Sequence, residues 1–230
     1  MRRVTEEMLA AEEALDGGEV ERARELMAPL LARFPRLAVV QEVAADVLYA
    51  GGDPLSAASL WESALRKLGA PRVAPRLVAA YTALNRAGDA RRVAALVPDD
   101  ALARITLAWC ELAAIGGDRE RGRVLAAELD QDREVRGTPS GDAMVAALAA
   151  IASAQAGDLQ RMRASLDRAQ ARSAELPPHD RAFIGYLGGI ALREAGATSD
   201  ARETWTMAMD AAPESIGAAL ARRERSHLPD

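Results

Sequence analysis

AVVQEVAADVLYAGGDPLSAASLWESALRKLGAP, residues 38–71, holds two amphipathic helices and the turn between them. In the first half Val40, Val43, Ala44, Val47 and Leu48 recur at helical spacing, which places them on one face. In the second half Ala57, Leu60, Trp61, Ala64, Leu65 and Leu68 do the same. Gly51-Gly52-Asp53-Pro54 separates them. A glycine can take the left-handed conformation that ends a helix. Asp53 can accept from the free N–H groups that open the next one, and Pro54 suits the first helical position. The stretch therefore predicts a helix, a short turn and an antiparallel helix.

The rest of the chain repeats this unit. Turn glycines at Gly18, Gly52, Gly88, Gly117, Gly157 and Gly196 are spaced 34, 36, 29, 40 and 39 residues apart, and all but the last are followed by an acidic residue. Helical hairpins at such a period predict an all-α solenoid, because each hairpin alone leaves one face unburied. The expected units run at about 4–35, 38–71, 72–98, 99–130, 143–176 and 181–213, in a single domain over 1–230. A polar helix over 214–226 is expected to cap the last unit against solvent. Pro98 cuts the third unit short after a second helix over 90–97. Residues 130–142, rich in Gly, Pro and charged residues, read as the longest loop, and Asp180 reads as an N-cap after Pro177-Pro178.

Composition supports helices throughout. Half of the 230 residues are hydrophobic but only 3% are aromatic, so the core must be built from Ala, Leu, Val and Met. The formal charge of −5 argues against a nucleic-acid or anionic membrane surface. The basic residues are arginines except for Lys67, a bias of bacterial style. The segment Met1-Arg2-Arg3-Val4-Thr5-Glu6-Glu7 has no apolar run behind it, and the alanine-rich residues 143–156 are too short to span a bilayer, so a cytoplasmic location is expected. The single cysteine, Cys110, lies in the apolar pattern of a helix and reads as a buried, inert thiol.

At the close-contact positions the chain resembles the tetratricopeptide repeat family. That pattern sets one small residue in the first helix and two in the second, with a large residue between the latter and a proline at the end. The sixth unit has Gly189, Ala201, Trp205, Ala208 and Pro213 there. The second has Ala45, Ala57, Trp61 and Ala64, with Gly69 at the terminal position and Pro71 two residues late. The first has Ala11, Ala23, Met27 and Pro35 but Leu30 in place of the second small residue, and the fifth has Ala150 and Ala169. The third and fourth depart from it, with Tyr81 and Cys110 at the first small position and Val93 and Gly122 at the next. The resemblance implies a right-handed superhelix of about six helix pairs whose first helices line a concave groove.

It also implies a function: a protein-interaction scaffold holding a peptide or protein in that groove, without enzymatic turnover. Groove-facing positions would be Glu12, Glu42, Asp46, Tyr49, Asn85, Arg86, Arg104, Glu111, Phe183 and Tyr186, with exposed Tyr49, Phe183 and Tyr186 as anchors. Glu12, Asp16, Glu42 and Asp46 make the N-terminal half acidic, which suits a partner with a basic segment. The two lysines of a carboxylate clamp for chaperone C-termini are absent. Self-association into a homo-oligomer is the alternative, followed by an RNA-binding helical repeat, against which the acidic residues among the arginine clusters speak.

No cofactor or metal is expected. His179 and His227 lack ligands at metal spacing. Asp130, Asp132 and Glu134 begin like a calcium loop, but Val135 stands where glycine is needed and Gly141 where a glutamate should be. The run 137–141 has no lysine after it to make a phosphate loop.

Overall fold

In a computed structural model the protein is an all-α solenoid. The structure describes residues 2–228, so Met1 of the N-terminal segment lies outside them. The helix pairs are α1 (Arg2–Asp16) with α2 (Val20–Arg33), α3 (Ala38–Ala50) with α4 (Pro54–Leu68), and α5 (Ala70–Ala83) with α6 (Ala87–Ala94). They continue with α7 (Ala101–Ala113) and α8 (Arg119–Gln131), α9 (Pro139–Gln155) and α10 (Leu159–Ser173), then α11 (Pro178–Glu194) and α12 (Thr198–Ala211). A last helix, α13, spans Ile216–Ser226. Each helix packs on its hairpin partner, and each first helix also touches the first helix of the next unit.

The hairpin over 38–71 forms as its residues dictate. Gly52 has φ +78°, and the Asp53 carboxylate accepts from Ser56 N at 3.0 Å. Trp61 and the small residues Ala45, Ala57 and Ala64 are buried between the helices. The turns of units three and four differ from the expected ones. The left-handed residue of the third is Asn85, at φ +58°, not Gly88, which lies inside α6. Asparagine tolerates that region because its short side chain finds a local or neighbouring partner; here Asn85 Oδ1 accepts from Ile115 N at 3.1 Å, in the next turn along. In the fourth it is Gly116, at φ +80°, rather than Gly117.

The weak third unit is held by polar contacts where the repeat pattern fails. α6 is only eight residues long. Tyr81, too large for a close contact, donates its hydroxyl to Glu62 Oε1 at 2.6 Å and so bridges α5 to α4. Cys110 is fully buried, and burial pushes its thiol up.

The interruption after α8 is shorter than 130–142. It spans 132–138 and contains a 3-10 turn, Val135–Gly137, and α9 starts at Pro139 behind a Thr138 cap. Asp142 is buried in the first turn of α9. Its carboxylate accepts from Arg136 at 2.8 Å and Arg172 at 2.9 Å, with Arg168 at 3.7 Å. Part of an arginine cluster on α10 thus clamps the loop. Asp130 pairs with Arg168, and Asp132 pairs with Arg104 and caps the 3-10 turn. Asp180 lies in the first turn of α11, whose N-cap is Pro177.

α13 packs on α11 and α12 of the last unit and also reaches across the superhelix. Ile216, Gly217, Ala218, Leu220 and Ala221 are buried. A Cβ on Gly217 would lie 2.5 Å from Phe183 N, so only glycine lets α13 cross α11 so closely. Across the superhelix, Gly52 faces Ala219, and Arg223 Nη1 donates to Ala83 O at 2.6 Å, 140 residues away in sequence. Gly18, in the first turn, faces His179 at the start of α11. The solenoid therefore closes on itself, with α13 and the start of α11 meeting the first three units.

Candidate functional site

Closure converts the groove into a cup. Its volume is about 590 Å3, and it is lined by α3, α5, α7, α9 and α11, together with Trp61 of α4, the 3-10 turn and Ile216. Five consecutive first helices contribute because first helices occupy the inner layer of a stack of hairpins. The walls are mostly apolar. Tyr49 and Phe183 are half-buried there, and Leu102 is 45% exposed although it points into a concavity. Behind the wall, Trp109 meets Phe183 and Tyr186 edge to face, with ring centroids 5.1 and 6.0 Å apart.

Of the residues expected to face the groove, Asp46, Tyr49 and Phe183 line the cup. Three others are corrected by burial. Tyr186 is 2% exposed and packs on Trp109, so it is not an exposed anchor. Glu42, 3% exposed, accepts from Arg72 Nε at 2.7 Å and Arg76 Nη1 at 3.2 Å. Glu111 is fully buried, bound by both ends of the Arg91 guanidinium at 2.8 and 2.5 Å and by Asp118 N at 2.8 Å. Burial pushes the Glu111 carboxyl up, but the Arg91 hydrogen bond, the Asp118 N–H and the charges of Arg91 and Arg121 hold it below its ordinary value. Asn85 and Arg86 sit at the third turn, where Arg86 lies 4.4 Å over the Tyr81 ring and pairs with Asp89. Arg104 is engaged by Asp132 at 2.7 Å. Glu12 is exposed on α1, outside the cup lining.

Within the N-terminal acidic row, Glu42 and Asp46 are therefore paired with arginines one repeat further on. Other residues complete the cup: Leu102, Ile105, Met144 and Ile184 on its walls, and Glu134 and Asp180 among its ionisable groups. Leu102 and Ile105 follow the apolar period of a first helix, which sequence reading assigns to stacking. The closing of the superhelix is what turns them toward a cavity.

Asp46 has the most perturbed carboxyl on the lining. Burial pushes it up to about 7, opposed by the Arg76 charge and reinforced by Glu42. Its Oδ1 lies 3.2 Å from Arg76 Nε. The Trp61 indole N–H leans toward it and favours the anion without closing a full hydrogen bond. A carboxyl raised in the folded state binds more protons there than in the unfolded chain. Its contribution to stability is complete below the ordinary carboxylate range and is lost as pH rises through about 7. Wild type should thus lose stability relative to Asp46→Asn between pH 5 and 8, by on the order of 3 kcal/mol as a ceiling, given partial solvation. Urea midpoints at stepped pH measure this, and a pH-independent difference between the two proteins would refute it. Glu111 and Asp142 have the opposite sign: both are held low, and their contributions are lost only as pH falls below the ordinary carboxylate range.

Among the described residues no group of three or more His, Cys, Asp or Glu is placed to hold a metal ion, and no helix is long and apolar enough to cross a membrane. The fold and the cup define an all-α helical-repeat protein with a closed concave face. No protein-family model matches the chain, and no curated protein matches it. Among solved structures, it is similar to the crystal structure of PilW, described as a widely conserved type IV pilus biogenesis factor, with a TM-score of 0.57 at 17% identity. The match covers 95% of this chain and 97% of PilW. At that identity the likeness is one of fold.

Proposed function

We propose that the chain is a divergent tetratricopeptide-like scaffold that holds a segment of another protein in its cup, stoichiometrically and without turnover. The observation that carries this reading is an apolar concavity of about 590 Å3 built from consecutive first helices, with Leu102 45% exposed inside it. A cavity of that size with few polar groups is what a binding site requires. Aromatic anchors such as Tyr49 and Phe183 supply large contact area at small entropic cost. Fold likeness to a pilus biogenesis factor agrees with a role in assembling other proteins.

Site-specific photo-crosslinking tests it. A benzophenone side chain at position 102, in the cup, should give a defined adduct with a second protein in cells. The same group at Met207, 63% exposed on α12 and outside the cup, should not. Adducts at 207 alone would refute cup binding. An adduct at 102 with twice the mass of the chain, formed from purified protein, would assign the cup to self-association.

A further inference from the structure

The geometry points to a particular occupant for the cup: a short chain segment that presents a bulky apolar side chain next to an arginine or lysine. This rests on the scaffold reading and specifies its partner.

Shape sets the first limit. The cup, at about 590 Å3 between apolar walls, takes a few side chains of a bound segment.

Charge sets the second. Among the described residues Arg76 is the only arginine or lysine on the lining, and it is held by Glu42 and Asp46, both at 3.2 Å. Glu134 has no cationic partner among the described residues, and the partner of Asp180 is the His179 imidazole at 3.6 Å. The lining therefore carries a surplus of carboxylate beside apolar walls. Such a rim attracts cations, and the attraction strengthens where the walls exclude water.

An arginine or lysine answers both features, because its aliphatic stem can lie along Leu102 or Met144 while its head reaches a carboxylate. The adjoining apolar side chain can meet Tyr49 and Phe183. The basic recognition thus falls on Glu134 and Asp180, not on the N-terminal acidic row.

Random heptapeptides displayed on phage and selected on the full-length chain supply the test. The pool should be enriched in an apolar residue next to Arg or Lys. A representative peptide should lose at least tenfold in affinity on the Glu134→Gln, Asp180→Asn double variant, and as much on Leu102→Trp, where an exposed position is widened into the cup. Circular dichroism and thermal melts confirm that both variants fold. A pool that is apolar but acidic or uncharged, and blocked by Leu102→Trp, overturns this inference and leaves the scaffold reading intact. A pool indifferent to Leu102→Trp overturns both. Binding of dodecylamine with the same carboxylate dependence, with no cup-directed peptide selected, overturns the peptide as occupant.

Discussion

Replacing Arg91 with alanine should lower the unfolding free energy by about 3–5 kcal/mol, as expected when one partner of a buried ion pair is removed. Glu111 has no solvent exposure. Without Arg91 its carboxylate keeps only the Asp118 N–H at 2.8 Å and Arg121, half-exposed, at 3.6 Å. Arg91 Nη2 also donates to Gly116 O at 3.0 Å, so the same guanidinium ties α6 to the turn between α7 and α8. That matters because α6, with eight residues, has little apolar surface to offer its neighbours. The ion pair supplies the link between units three and four that a regular second helix makes by burial. Glu111→Gln should be milder, about 1–2 kcal/mol: the amide oxygen still accepts from Asp118, and although the amide nitrogen meets Arg91 as donor against donor, that guanidinium is about a third exposed and keeps Gly116 O. Urea denaturation of both variants decides this. An Arg91→Ala protein within 1 kcal/mol of wild type would mean that Arg121 swings in to replace it.

The Arg91–Glu111 pair also shows what a sequence hides. Helical periodicity locates each helix by its own apolar face, and on that basis the hairpin over 38–71 is readable down to its Asp53 cap. Periodicity is blind to partners one repeat away. Glu42 looks like a solvated groove residue until Arg72 and Arg76 arrive, 30 and 34 residues later, to bury it. The Asn85 turn escapes for a related reason: glycine is the usual left-handed residue, and the Ile115 N–H that satisfies Asn85 belongs to another unit. Closure is harder still. Whether α13 reaches Gly52 depends on small rotations summed over six units, and no single stretch encodes that sum. The small face of α13, with Gly217, Ala218 and Ala221, is the local trace of it. Asp46, Tyr49 and Phe183 face inward as first-helix geometry suggests, whereas Glu134 lines the cup from the turn before α9, which helical periodicity does not place.

The adjacent glycines of α11 should respond to alanine with opposite signs. Gly189 occupies the close-contact position of the sixth unit. A Cβ there would lie 2.6 Å from Trp205 Cε2, and Trp205 is fully buried. The indole cannot retreat freely, because its Nε1 donates to Tyr186 O at 3.0 Å. Gly189→Ala therefore combines overpacking with strain on a buried hydrogen bond, for a loss of about 2–4 kcal/mol. Gly188 points elsewhere. A Cβ there would meet Leu166 Cδ2 at 3.6 Å and Thr204 Cγ2 at 3.8 Å, which is ordinary contact. Removing glycine from a helix interior without a clash stabilises by roughly 0.5–1 kcal/mol, so Gly188→Ala should be neutral or better. For a chain of this length each kcal/mol moves the melting temperature by about 2–4 °C. The two variants should thus straddle wild type in a thermal melt, with Gly189→Ala lower by roughly 4–16 °C. Equal melting temperatures would show that α11 and α12 can part to admit the methyl group, and that the small residue at this position does not set the distance between the two helices.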